Sequence, residues 1–389
     1  MAEIEDGGEL HAAMTAWRRH LHAHPETAFE EHATAAFVAD RLESFGGITV
    51  ERGIARTGVV GTLVNGAGPS IGLRADMDAL AFEEANAFAH RSTHPGKMHA
   101  CGHDGHTAML LGAARHLAET RAFHGTVRFI FQPAEENEAG GLAMVEDGLF
   151  FRFPVDAVYG LHNWPGLPVG RMAVAPGPMM ASCDLFEISI TGRGCHAAMP
   201  HLGDDTVLAA ANTTLALHAL VGRVVDAQDA AVLSVTQSHA GDTWNVLPAR
   251  AVLRGTVRAF REVVQDTLEA AIRETARGVA AAHRCSAEVR YDRRYPATVN
   301  DREASERAAR AAALALGEEA IVHAPRPSMG SEDFAFMLRE RPGCYVWLGN
   351  GPIEGGCVLH NPRYDFNDDI LAIGARWWVT LVECELPAT

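Results

Sequence analysis

The chain has 389 residues, 48% hydrophobic and 21% charged, enough to bury a large core in about two domains. A net charge of -16 argues against a nucleic-acid partner, because phosphate binding needs basic surface, yet a local Arg or His can still hold a small anion. No apolar run reads as long enough to cross a bilayer, and "MAEIEDGGELHAAM" is no basic-then-apolar leader. Seven scattered cysteines give no disulfide framework, so a cytoplasmic protein with no membrane partner is expected.

The first element is amphipathic: Leu10, Met14, Trp17 and Leu21 fall at helical spacing and Pro25 closes the run. Short β-like runs then alternate with helical ones: "GVVGTLV" (58–64), "SIGLRA" (70–75), a helix over "DGHTAMLLGAARHLAET" (104–120), "TVRFIFQ" (126–132) and "VDAVYGLH" (155–162). That alternation predicts an α/β domain with a largely parallel sheet. From about residue 184 the texture changes. "LFEISITGRG" alternates as a one-sided strand does, "DDTVLAAANTTLALHALVGRV" reads as a helix, and "AAVLSVTQSHAG" and "ARAVLRGTVRAF" read as strands. A helix from Arg261 to His283 leads into the strand "SAEVRYD". The order β-α-β-β-α-β predicts a ferredoxin-like split βαβ domain. After "RYPATVND" the first texture resumes, with "CYVWLGN" and "CVLHNP" as strand ends. The expected architecture is a two-domain α/β protein: a catalytic domain over 1–183 and 295–389, with a smaller domain over 184–294 inserted between its halves.

Ligands of open α/β sheets bind just beyond the carboxyl ends of the strands. Polar residues crowd there. Asp76 and Asp78 follow "SIGLRA", Cys101 and His103 precede the helix at 104, Glu135 and Glu136 follow "VRFIFQPA", and His162 and His360 end "AVYGLH" and "GGCVLH". Each alone has a bland reading: a hydrogen-bonded structural His, a Glu pair on the surface or capping a helix near Gly140, Asp104 as an N-cap, a buried Cys. Their coincidence at one sheet edge favours a metal centre. Thiolate, imidazole and carboxylate together suit Zn, Mn, Co or Ni better than Mg or Ca. The spacing of Cys101 and His103 sends both side chains to one side of an extended segment, and the lack of CxxC pairs favours an open, catalytic site over a closed structural one. If Glu136 is a ligand, Glu135 can lie beside the metal-bound water to take and return a proton, with Pro133 stiffening the turn that aims both.

These residues lie within longer motifs. "GLRADMDAL", "MHACGHDGHTAMLLGAA", "FQPAEENEAGG", "GLHNWP", "GRGCHAAMPHLGDD", "GTVRAF", "SMGSEDFAFM" and "LHNPRYDFND" occur in order over nearly the whole chain. This succession resembles the M20 metallopeptidase family, and within it the amidohydrolase branch of aminoacylases, hippurate hydrolases and plant auxin-conjugate hydrolases. Carried over residue by residue, the resemblance implies two divalent metal ions held by Cys101, His103, Glu136, His162 and His360, with Glu135 as general acid/base and Asp76 orienting a ligand from behind. Other members place a histidine two residues before that aspartate; here it is Arg74, a departure the amidohydrolase branch shares, together with its cysteine. The inserted domain resembles the family's lid and dimerisation surface, which implies a homodimer or homotetramer. His196 matches the histidine that reaches the substrate carbonyl and steadies an oxyanion. Asn245 and Arg258 match residues that hold the substrate carboxylate, a task suited to a bidentate guanidinium. Without the resemblance these three would read as ordinary polar surface.

The expected function is metal-dependent hydrolysis of the amide bond in N-acyl or N-aroyl amino acids, hippurate-like compounds included. One rival is a dipeptidase or aminopeptidase of the same superfamily, distinguished by tolerance of a free α-amino group. Another is a catalytically silent binding or scaffold protein, distinguished by the lack of metal and turnover. A nucleotide-binding oxidoreductase is disfavoured because "NGAGPS" lacks the spacing of a dinucleotide loop.

Overall fold

The structure, a computed structural model, describes residues 4, 6–136 and 138–388. It divides into two compact units, one of residues 1–179, 299–326 and 333–389, the other of residues 180–298 and 327–332. In the first unit α1 (Glu9–Ala23) and α2 (His32–Ser44) lead into β1 (Ile48–Ile54), β2 (Gly58–Asn65) and β3 (Ser70–Asp76). After these come α3 (His103–Thr120), β4 (Gly125–Gln132), α4 (Gly140–Glu146) and β5 (Ala157–Pro165). The second unit holds β6 (Cys183–Thr191), α5 (Thr206–Val224), β7 (Ala231–Ala240), β8 (Arg250–Ala259), α6 (Glu262–Ala282) and β9 (Ser286–Tyr295). The chain then returns to the first unit with α7 (Arg302–Leu316), β10 (Gly343–Gly351) and α8 (Leu371–Glu385).

In the first unit β1, β2, β4, β3, β5 and β10 lie side by side, continued by the two-residue strands Met172–Ala173 and Ile321–Val322. The middle strands β4, β3, β5 and β10 run parallel, and antiparallel pairing is confined to the flanks. Parallel strands are covered on both faces and therefore read as unbroken apolar runs; β10 is buried at every residue, and β5 from Ala157 to Asn163. Helix α3 packs among α1, α2 and α8. Its Gly112 lets α1 approach, since a Cβ there would run into the Met14 side chain. Each large apolar side chain in this core, among them Leu110, Leu111, Phe129, Phe131, Val346 and Trp377, contributes roughly 1.5–3 kcal/mol by its burial. That packing fixes where the strand ends point.

In the second unit the sheet order is β7-β8-β6-β9, all antiparallel, which is the arrangement the β-α-β-β-α-β order allows. One face carries the core, with Phe186, Ile188 and Ile190 of β6 meeting Leu268 and Ile272 of α6. The alternation in "LFEISITG" is this one-sided burial.

Three local expectations need correction. The segment "CVLHNP" is no strand end: β10 stops at Gly351, and residues 357–362 lie in turns beyond a short 3-10 helix at Glu354–Gly356. Asp104 does not cap α3, because the helix starts at His103 and the Asp104 side chain is taken up by a buried histidine described below. Among the described residues one helix, α5, is long and apolar enough by length and composition to cross a membrane. Its Asn212, Thr213 and Thr214 interrupt the apolar pattern on paper, and its Ala209, Ala210 and Leu217 pack into the unit's core.

Candidate metal centre

Because β3, β4 and β5 are parallel neighbours, their carboxyl ends come together: Asp76 pairs in register with Gln132, and Arg74 with both Ile130 and Gly160. Asp78 follows β3, Glu135 and Glu136 follow β4, and His162 sits within the last turns of β5. Cys101 and His103 arrive from the loop that opens α3. Between them Gly102 has φ 94, a left-handed conformation, and a Cβ there would strike Asn163 and Tyr364. The two side chains converge through this tight turn, not along an extended segment as the spacing suggested. His360 comes from the irregular loop after β10, where its N–H donates to the Ala100 carbonyl (2.8 Å) and its backbone is also left-handed, φ 62.

Among the described residues five groups of potential ligand atoms lie within 4.8 Å of one another, and three of them consist wholly of the expected ligands and Glu135: Cys101, His103 and His162; Cys101, Glu136 and His360; His103, Glu135 and Glu136. Cys101 is common to the first two. Its Sγ lies 3.3 Å from His162 Nε2, and His360 Nε2 lies 3.1 Å from Glu136 Oε1. Histidine tautomers are set from outside. His103 Nδ1 donates to the Asp78 carbonyl (2.9 Å) and His162 Nδ1 to the Asn163 carbonyl (2.6 Å), so in both rings Nε2 faces the group. His103 Nε2 is buried with no hydrogen-bond partner. A buried, unmatched imidazole nitrogen beside a thiol and carboxylates is what a divalent cation requires, and these residues fit one.

The electrostatics point the same way. Burial works against charge on His103, but Asp76 and Asp78 outweigh it and hold the ring up at about 10. Burial, with His106 adding, keeps His162 well below the usual imidazole range. Burial pushes the Cys101 thiol well up, and Glu136 and Glu135 push it further. For Glu136 burial is overcome by the hydrogen bond and charge of His360, which lower it. A pocket that retains a proton on His103 so tightly is short of positive charge, and metal binding at such sites displaces protons.

Behind these atoms lies a buried polar layer. Asp78 accepts the Glu135 and Glu136 N–H groups on separate oxygens (3.0 and 2.9 Å). Asp76, expected to orient a ligand, lies 3.7 Å from His103 Nε2 and bonds instead to His106 Nδ1 (2.6 Å) and Arg74 Nη1 (2.7 Å). Burial is outweighed by His103 and Arg74, which hold the Asp76 carboxyl well below the usual range. The fully buried Arg74 also donates to Gln132 (2.8 Å) and Asp333 (3.0 Å), and Asp333 accepts the Gly141 N–H (2.7 Å). Further back, Asp104 takes His22 Nδ1 (2.8 Å), whose Nε2 meets Glu84 (3.2 Å).

His106 and the role of Asp78 were missed in the sequence. His106 follows His103 by one helical turn and shares its face, a spacing that could have revealed it. Its Nε2 bonds to Asn163 Oδ1 (2.8 Å), linking α3 to β5.

His196, Asn245 and Arg258 all lie in the second unit. His196 and Asn245 are exposed and come together across a short antiparallel ladder in which Val246 pairs with His196 and the Ala197 N–H donates to the Asn245 carbonyl (2.9 Å). Arg258 is half-buried on β8, apart from that ladder, and donates to Ser331 Oγ (3.0 Å).

Comparison with known proteins agrees with the motifs. The family model for Peptidase family M20/M25/M40 matches residues 72–383. Hippurate hydrolase of Campylobacter jejuni is 39% identical over 365 residues, 94% of either chain. An N-acyl-L-amino acid amidohydrolase of Geobacillus stearothermophilus is 44% identical over 295 residues, 75% of this chain and 79% of the relative. Among solved structures, a Bacillus subtilis dinuclear metal-binding peptidase of the M20 family superposes with a TM-score of 0.85 at 36% identity, covering 98% of this chain and 99% of that one. With its family model spanning most of the sequence and relatives of this similarity along nearly its full length, the chain belongs to the M20/M25/M40 peptidase family.

Proposed function

We propose that the protein is a metal-dependent amidohydrolase that cleaves N-acyl and N-aroyl amino acids to a carboxylic acid and a free amino acid. The observation that carries this reading is the buried Nε2 of His103, which has no hydrogen-bond partner, within a Cys, His and Glu cluster. The names of the relatives, a hippurate hydrolase and an N-acyl-L-amino acid amidohydrolase, support the substrate class. Two divalent ions, of Zn, Mn, Co or Ni, are held by Cys101, His103, Glu136, His162 and His360, and the sharing of Cys101 by two ligand groups supports the pair. Bound there, such ions supply Lewis acidity toward the amide carbonyl and lower the pKa of water. Glu135, its backbone pinned by Asp78, takes the proton from the attacking water and returns it to the departing nitrogen. Asp76 keeps His106 oriented and ionic contact with Arg74. His196 steadies the oxyanion, while Asn245 and Arg258 hold the substrate's carboxylate.

The second unit also serves as lid and dimerisation domain, giving a homodimer or homotetramer. Helix α5 leaves Leu208 and Leu215 exposed, a face suited to a second copy. Seven free cysteines suit a reducing compartment, in keeping with the cytoplasm.

The test is hydrolysis of N-benzoylglycine, N-acetyl amino acids and glycyl dipeptides by chelator-stripped protein resupplied with each metal in turn. Glu135→Gln should lose on the order of 10^2- to 10^4-fold in turnover while retaining its metal. Wild-type turnover in that variant, or no hydrolysis with any metal, overturns the reading.

A further inference from the structure

We propose that Glu31 is a positioning residue of this centre, holding through the Ala134 N–H the turn that carries Glu135 and Glu136. The inference rests on the reading of Glu135 as proton carrier. Ala134 has φ 54, in the left-handed region that a residue with a Cβ adopts only at a cost. Something must hold it there. From Ala134 onward three successive amides donate to side-chain carboxylates: Ala134 N–H to Glu31 Oε1 (2.9 Å), Glu135 N–H to Asp78 Oδ1 (3.0 Å) and Glu136 N–H to Asp78 Oδ2 (2.9 Å). Consecutive N–H groups of this kind form an anion-binding concavity. Here the chain fills it with its own acids. On the far side the Ala134 carbonyl accepts the Gly140 N–H (2.9 Å), so the peptide groups on both sides of the residue are held.

Glu31 immediately precedes α2, far in sequence from the turn, and is fully buried. Its second oxygen accepts the Thr57 hydroxyl (2.6 Å). A carboxyl buried this completely is costly unless its acceptors are needed. Burial pushes it up to about 7 against the Thr57 hydrogen bond. Among the described residues the Glu31 side chain hydrogen-bonds to Thr57 and Ala134 and to none of the proposed ligands. Its influence passes through one peptide group to Glu135 and Glu136, where a misplacement of about 1 Å costs up to a hundredfold.

The experiment compares Glu31→Ala, Glu31→Gln and Glu31→Asp in the full chain. Steady-state kinetics on N-benzoylglycine with Mn, amide hydrogen exchange of residues 133–136 in metal-free protein, and thermal stability are read together. Glu31→Ala should lower kcat roughly 10- to 100-fold with KM changed less than about threefold. It should also speed exchange of the Ala134 and Glu135 amides by about tenfold or more. Glu31→Gln keeps an acceptor at full reach and should restore both to within about threefold. Glu31→Asp keeps the carboxyl group but falls short of Ala134, and should resemble Glu31→Ala; it decides the matter if the alanine variant does not fold. Wild-type kcat and exchange in Glu31→Ala or Glu31→Asp, whatever the melting temperature, overturns the proposal, as does a glutamine variant no better than the aspartate. Failure of the functional reading shows separately, as turnover surviving in Glu135→Gln.

Discussion

Cys101, His103 and His162 are buried, and each histidine has its remote nitrogen tied to a carbonyl, whereas His196 and Asn245 in the second unit stand in solvent with little besides each other's backbone around them. The difference matches the tasks proposed for the two sets. A group that must present one lone pair or one proton at a fixed height has to be held by other groups, and only a packed sheet edge supplies enough of them. A group that grips a mobile substrate needs reach and charge more than fixity.

Cys101→Ala should strike hardest, because it removes the one thiolate among the proposed ligands and leaves only imidazoles and carboxylates. Metal affinity should fall by more than about a hundredfold, beyond what loss of an outer partner costs. Metal content after dialysis checks it, and near-stoichiometric metal would break the contrast. Next come the outer partners. Asp78→Asn sets an amide NH2 against one of two backbone donors, and His106→Ala unties α3 from β5. Each should cost roughly 10- to 100-fold in metal affinity or kcat. Arg258→Ala should raise KM for a carboxylate-bearing substrate about tenfold with a smaller change in kcat, and Arg258→Lys should recover only part of that. A fall in kcat alone would place Arg258 with the fixed groups.

The smallest effect is on stability. Burial opposes charge on His22, yet Asp104 and Glu84 raise it to about 9, above its ordinary value of 6.5. A group raised in the folded state stabilises fully below the unfolded value and loses that contribution as pH climbs through the folded one. The melting temperature of wild type relative to His22→Gln should thus be constant below about pH 6.5 and shrink by about 2 °C or more between there and pH 9. An advantage that grows across that window contradicts the buried ion pair.

Most of the candidate site's composition was readable because residue types no apolar strand needs stand near or just beyond the carboxyl ends of β3, β4 and β5: Asp76, the Glu135–Glu136 pair and His162. The alternation in β6 and the helical period of α6 likewise announced the second unit's sheet and helix. What escaped depends on contacts made across long stretches of chain. Asp104 stands where a cap belongs, and only the tertiary approach of His22, 82 residues earlier, reveals its use. Gly102 looks like loop punctuation until Asn163 and Tyr364 are seen to leave no room for a Cβ. His360 follows the apolar triplet Cys357–Leu359 on paper but is placed by a loop hydrogen bond to Ala100.

Arg74 is bonded at once to Asp76, Gln132 and Asp333, all of them buried. Exchanging it for histidine removes a permanent positive charge from beneath two acids that have no water to fall back on. Replacing Arg74 alone should therefore destabilise the fold, and a design that removes it has to neutralise Asp76 or Asp333 in the same step.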